Sequence, residues 1–117
     1  MHLDYYTFSN QIVELNLANN KILTLEYFEK KSYPNLEKLL IGDNFLSKLK
    51  FDKGCFEKLR ILNASVNEIR HVEGLKNLPC IKKLDLSKNE IMGIAAYSSD
   101  DDYTKASSCY VKLCSDL

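Results

Sequence analysis

Four copies of one segment govern this chain. The first is Ile12-Val13-Glu14-Leu15-Asn16-Leu17-Ala18-Asn19-Asn20-Lys21-Ile22. The second sets Leu36, Leu39, Ile41, Asn44 and Leu46; the third Leu59, Leu62, Ala64, Asn67 and Ile69; the fourth Ile81, Leu84, Leu86, Asn89 and Ile91. Each places apolar residues at positions 1, 4, 6 and 11 and Asn at position 9, with starts 24, 23 and 22 residues apart. Positions 4 and 6 alternate with polar neighbours, as a strand with one buried face requires. A unit this short cannot bury its own apolar face, so successive units must stack. Four strands side by side then form a parallel sheet, with each chain segment turning away and returning along the other side.

The Asn at position 9 stands where the chain leaves its strand. Its short amide carries both a donor and an acceptor. Asn20, Asn44, Asn67 and Asn89 are therefore expected to be buried as a ladder, satisfying backbone groups of successive turns. On the return side, Ile69, Val72, Leu75 and Leu78 lead to Ile81 at intervals of three, which suits a 3₁₀ turn better than a long α-helix. Ile22, Leu25, Phe28 and Tyr33 take this role in the first repeat, and Leu46, Leu49, Phe51 and Phe56 in the second, where Lys53-Gly54 predicts a looser loop. Pro34 and Pro79 end their return segments, since proline cannot continue a helix.

The pattern L-x-x-L-x-L-x-x-N-x-L at this period resembles the leucine-rich repeat, over roughly residues 8–97. That resemblance implies an α/β solenoid. It would be a right-handed arc with a short parallel sheet on the concave side and 3₁₀, irregular or short helical segments on the convex side. The short period is similar to the intracellular subclass typified by a regulatory subunit of protein phosphatase 1. Members of that subclass also serve in splicing, RNA export and ciliary motor complexes.

Three regions follow. Residues 1–11 read as a partial repeat or N-terminal cap, with Leu3, Tyr6 and Phe8 near the apolar places of a preceding return segment. Residues 12–97 are the four repeats. Residues 98–117 open on Ser98-Ser99-Asp100-Asp101-Asp102. Tyr103, Ala106, Tyr110, Leu113 and Leu117 then recur at helical spacing, which predicts a capping helix over 101–114 with the acidic run at its positive end. The Tyr-Arg element and Leu-Asp turn usual in the family's C-terminal cap do not occur here.

Composition narrows the function. The 117 residues include 18 Leu and 10 Asn, and 16 basic side chains balance 16 acidic ones. With no basic excess to displace counterions, direct nucleic-acid binding is not expected, nor is an anionic membrane as partner. No apolar run approaches the ~20 residues of a membrane span. The start, Met1-His2-Leu3-Asp4-Tyr5-Tyr6, shows no basic region followed by an apolar stretch, so a cytoplasmic or nuclear location is expected. Cys55, Cys80, Cys109 and Cys114 are scattered without zinc-site spacing, and read as reduced thiols packed like small apolar groups. Asn63-Ala64-Ser65 matches a glycosylation acceptor, but it falls on an expected strand. The two histidines, His2 and His71, lie far apart, and His71 reads as a surface residue of the convex side. No nucleophile motif or phosphate loop is present, so no catalytic residue, metal or cofactor is expected.

What remains is the concave face. Position 3 gives Glu14, Lys38, Ile61 and Lys83; position 5 gives Asn16, Leu40, Asn63 and Asp85; position 7 gives the small residues Ala18, Gly42, Ser65 and Ser87. Leu40, Ile61, Phe45 and Val66 place apolar side chains on the middle repeats where the pattern does not need them. Glu14, Lys38, Lys83 and Asp85 rim this cluster, as polar residues rim a protein interface. The expected function is a protein-binding module that takes a peptide or helix on this face, as a monomer or with weak end-to-end association. The alternatives are a structural piece of a longer or truncated repeat protein, or a protein-binding subunit of a ribonucleoprotein complex.

Overall fold

A computed structural model of the chain describes residues 10–26 and 33–91, and the backbone strands Gly93–Ile94 and Tyr110–Leu113. All its paired strands are parallel, and they form two sheets. The five-stranded sheet runs β1 (Glu14–Asn16), β2 (Lys38–Leu40), β4 (Ile61–Asn63), β6 (Lys83–Leu86) and β8 (Tyr110–Leu113). The three-stranded sheet runs β3 (Lys48–Lys50), β5 (His71–Glu73) and β7 (Gly93–Ile94). From β2 onward the chain alternates between the sheets, so the second, third and fourth repeats each supply a strand of the large sheet and then one of the small.

The register of the large sheet is the register of the repeat. Position 3 faces position 3 along Glu14, Lys38, Ile61 and Lys83, and position 4 faces position 4 along Leu15, Leu39, Leu62 and Leu84. A slip by one residue would turn every position-4 leucine out of the core. The core lies between the sheets: Leu39, Ile41, Leu62 and Ala64 come from one side, Leu49 and Val72 from the other. Tyr33 stacks on Phe56 at 5.8 Å, and Phe51 meets Phe56 edge-on at 6.1 Å. These rings fill the return side of the first and second repeats.

Asparagines order the turns. Asn67 Nδ2 donates to the carbonyls of Ala64 and Ser65 in its own turn and to Ile41 in the preceding repeat, at 3.1–3.2 Å. Its Oδ1 accepts the Leu46 amide at 3.0 Å. Asn44 repeats this set with Ile41, Gly42, Leu17 and the Ile22 amide, and Asn89 with Leu86, Ser87, Ala64 and the Ile69 amide. Each amide therefore clamps its own turn and the repeat before it. Asn20 bonds only its own turn, to Leu17 and Ala18, and it is exposed. Asn44 and Asn67 are buried, whereas Asn89 is half-buried and Asn20 lies at a first rung where no earlier repeat is described, so the expected burial holds for two of the four.

Two departures from the expected fold have clear causes. The return side carries the second sheet as well as 3₁₀ structure, which is seen at Leu75–Asn77. Buried Val72 between exposed His71 and Glu73, and Leu49 between Lys48 and Lys50, alternate as strand residues do. The second departure is β8, which stands where a helix over 101–114 is predicted. It pairs Tyr110 with Lys83, Val111 with Leu84 and Leu113 with Leu86. The outer edge of β6 presents unpaired backbone groups, and Tyr and Val favour strand over helix. The rest of that segment, the acidic run and the N-terminal cap residues lie outside the described residues.

Short turns return the chain to the large sheet. The Leu36 amide donates to Tyr33 O at 3.3 Å, Leu59 to Phe56 O at 3.4 Å and Ile81 to Leu78 O at 3.3 Å. Pro34 and Pro79 occupy the second place of their turns, which the fixed proline φ suits. Among the described residues no helix is long and apolar enough to cross a membrane.

Candidate protein interface

The outward face of the large sheet is built from the polar-phase positions of each strand. Lys38, Leu40, Ile61, Asn63, Lys83 and Asp85 line one open hollow of about 400 Å³. A second, of about 240 Å³, runs toward the turns and is lined by Asn16, Leu40, Gly42, Asp43, Asn63, Ser65 and Val66 among others. Leu40 lines both, so the hollows join over repeat two. Leu40 and Ile61 are half-buried, while Phe45 and Val66 are 47% and 43% exposed. The backbone amide of Asn44 donates to Val66 O at 3.3 Å, and that of Phe45 to Ile22 O at 2.9 Å. The structure thus brings Leu40, Ile61 and Val66 together as a track along the two hollows, while Phe45 is exposed but lines neither of them.

The polar candidates divide by role. Asn16 Oδ1 accepts the Ala18 amide, Asn63 Oδ1 the Ser65 amide and hydroxyl, and Asp85 Oδ1 the Ser87 amide and hydroxyl at 3.0 and 2.6 Å. These are Asx turns that shape the strand exits, a role the sequence reading missed. The signal was an Asn or Asp two residues before a small residue. Lys38, Lys83 and Glu14 remain as the charged rim. Lys38 Nζ lies 4.0 Å from Glu14 with both side chains in solvent, so the pair is weak.

Repeat two breaks the Asx pattern. Position 5 is Leu40, which offers no acceptor, and the Gly42 amide donates to no group among the described residues. A Cβ on Gly42 would lie 3.2 Å from Ser65 O, a tight contact to which the neighbouring repeat would have to give way by a few tenths of an ångström. Position 8 is left-handed in every repeat: Asn19, Asp43, Val66 and Lys88 have φ of 61°, 55°, 55° and 56°. Asn and Asp tolerate this conformation, but a β-branched Val does so only under strain. An exposed valine at that place serves neither the turn nor the core.

Sequence reasoning also missed Val13 and Leu23, which are exposed outside the track. His71 is exposed on the second sheet. Cys55 is buried and Cys80 exposed, and among the described residues no cluster of three His, Cys, Asp or Glu side chains is placed to hold a metal.

Comparison with known proteins adds a partial likeness. No family model matches the chain, and no solved structure matches it. Receptor-like protein 9b of Arabidopsis thaliana is 38% identical over 79 residues, a match covering 64% of this chain and 8% of that protein. The chain spans about a twelfth of the length of this curated relative.

Proposed function

We propose that this chain is a leucine-rich-repeat solenoid whose large sheet lines the concave side of a right-handed arc, and that this face binds a protein partner. The observation that carries the reading is the apolar track. Leu40, Ile61 and Val66 line the hollows of a face whose pattern has no structural use for apolar side chains, and Phe45 is exposed as well. Charged groups of both signs rim it, as they rim protein interfaces. The match to a receptor-like protein points in the same direction. The 22–24-residue period supports the short intracellular subclass, and the balanced charge supports a protein over a nucleic acid as the ligand. The module has no catalytic role of its own in this reading.

Affinity capture from cell extract with mass spectrometry tests it, comparing the wild type with Leu40→Asp and Phe45→Asp. Both variants should lose the captured partner and melt within about 2 °C of the wild type, since surface changes are usually within about 0.5 kcal/mol. Unfolding by either substitution, or a partner retained by both, would sink the reading.

One observation favours a second reading. The likeness is to a small part of a much longer protein, and in this second reading the repeats are one section of a larger array, with stacking rather than ligand binding as their role. Concentration-dependent association in sedimentation would support that reading, and a monomer at all concentrations would count against it.

A further inference from the structure

We infer that the apolar track takes an extended partner segment of segregated charge, with carboxylates at one end and apolar side chains beside them. This rests on the protein-binding reading above and adds the chemistry of the occupant. Lys38 and Lys83 stand opposite the two sides of Ile61 in the sheet register, and all three line the upper hollow. Two ammonium groups therefore flank one apolar seat. The carboxylate that lines the same hollow, Asp85, stands two residues beyond Lys83 in β6 and turns Oδ1 to Ser87. Glu14 reaches Lys38 only at 4.0 Å and in solvent, a contact that an incoming carboxylate can replace at little cost. Lys83 forms no ion pair among the described residues.

The lower hollow has the opposite sign. Asp43 is the one charged residue among the described residues that line it. Asp43 repels an acidic end there, so the charge favours one direction: carboxylates over Lys38 and Lys83, apolar side chains across Leu40 toward Val66. The Gly42 amide adds a backbone donor between the ends. In the other repeats this amide is taken by Asn16, Asn63 or Asp85. Over Gly42 it is left for a carbonyl of the passing segment.

Fluorescence anisotropy with the full chain tests this. The probes are three labelled dodecapeptides, each with a central Phe-Leu pair flanked on one side by three Glu, three Lys or three Ser. The Glu peptide should bind about tenfold tighter than the Lys peptide at low salt, with the gap closing in 0.5 M NaCl. The double variant Lys38→Glu, Lys83→Glu should reverse the order, with circular dichroism confirming its fold. Equal binding of all three peptides, or an order unchanged in the double variant, overturns the charge assignment. If those charge-blind peptides are still lost with Leu40→Asp, the protein-binding reading stands without it. Peptide binding unaffected by Leu40→Asp overturns both. A dimer in sedimentation that Leu40→Asp dissociates would assign the face to a second copy of the chain and also overturn the proposal.

Discussion

Asn67 shows how one side chain holds two repeats. Its amide reaches three carbonyls and accepts one amide, in a site that is almost fully buried. Removing it strands groups that water cannot reach, and each such loss costs roughly 1–3 kcal/mol. Asn67→Ala should therefore destabilise the chain by about 3 kcal/mol or more, while exposed Asn20→Ala should cost under about 1 kcal/mol. Urea denaturation of the two variants checks this, and equal losses would refute the ladder as a clamp between repeats. Val66 makes the converse case. A left-handed residue with a Cβ carries a cost of roughly 1–2 kcal/mol, and asparagine relieves part of it. Val66→Asn should raise the melting temperature by a few degrees and weaken partner capture. A variant that is more stable and binds as well would show that Val66 has no part in the interface.

At the scale of elements, the large sheet was legible in the sequence and the return side was not. The strands β1, β2, β4 and β6 follow directly from L-x-L, because the alternation and the period agree. The second sheet was hidden by competing periods. Ile69, Val72, Leu75 and Leu78 recur every three residues, yet only Leu75–Asn77 form a 3₁₀ turn, and Val72 lies in a strand. Gly74 joins the two with φ of 80°, and a Cβ there would collide with the Phe51 carbonyl. Gly74→Ala should cost at least about 2 kcal/mol, from the left-handed backbone together with the clash. A melt unchanged in that variant would contradict the described joint.

β8 was missed for a different reason. Lys83 and Tyr110 are paired across 27 residues, against 22–24 for the other repeats. Ser108 and Asp116 stand at positions 1 and 9, where the pattern asks for an apolar residue and Asn. Only Val111 and Leu113 keep their places. Deleting residues 98–117 should bare the β6 edge, lower the melting temperature and promote self-association. A shortened chain as stable and monomeric as the whole would show that β8 adds nothing.

For the whole molecule, one division matters: positions 1, 4, 6, 9 and 11 build the stack, and positions 3, 5, 7, 8 and 10 are released to the face. The apolar cluster on that face was readable, because apolar residues at polar-phase positions stand out against the pattern. The Asx turns at Asn16, Asn63 and Asp85 were not, because a residue's place on a face does not reveal whether its side chain bends back to the chain. The division predicts that Leu62→Asp, which puts a charge into the core, unfolds the chain, whereas Leu40→Asp does not.

The most direct test of the binding face is an amide NMR titration with the partner recovered by affinity capture. The account predicts shifts clustered on Lys38–Gly42, Ile61–Val66 and Lys83–Asp85, with the Gly42 amide among the largest. Shifts clustered instead on the second sheet, at Lys48–Lys50 and His71–Glu73, would place the partner on the opposite side and contradict it.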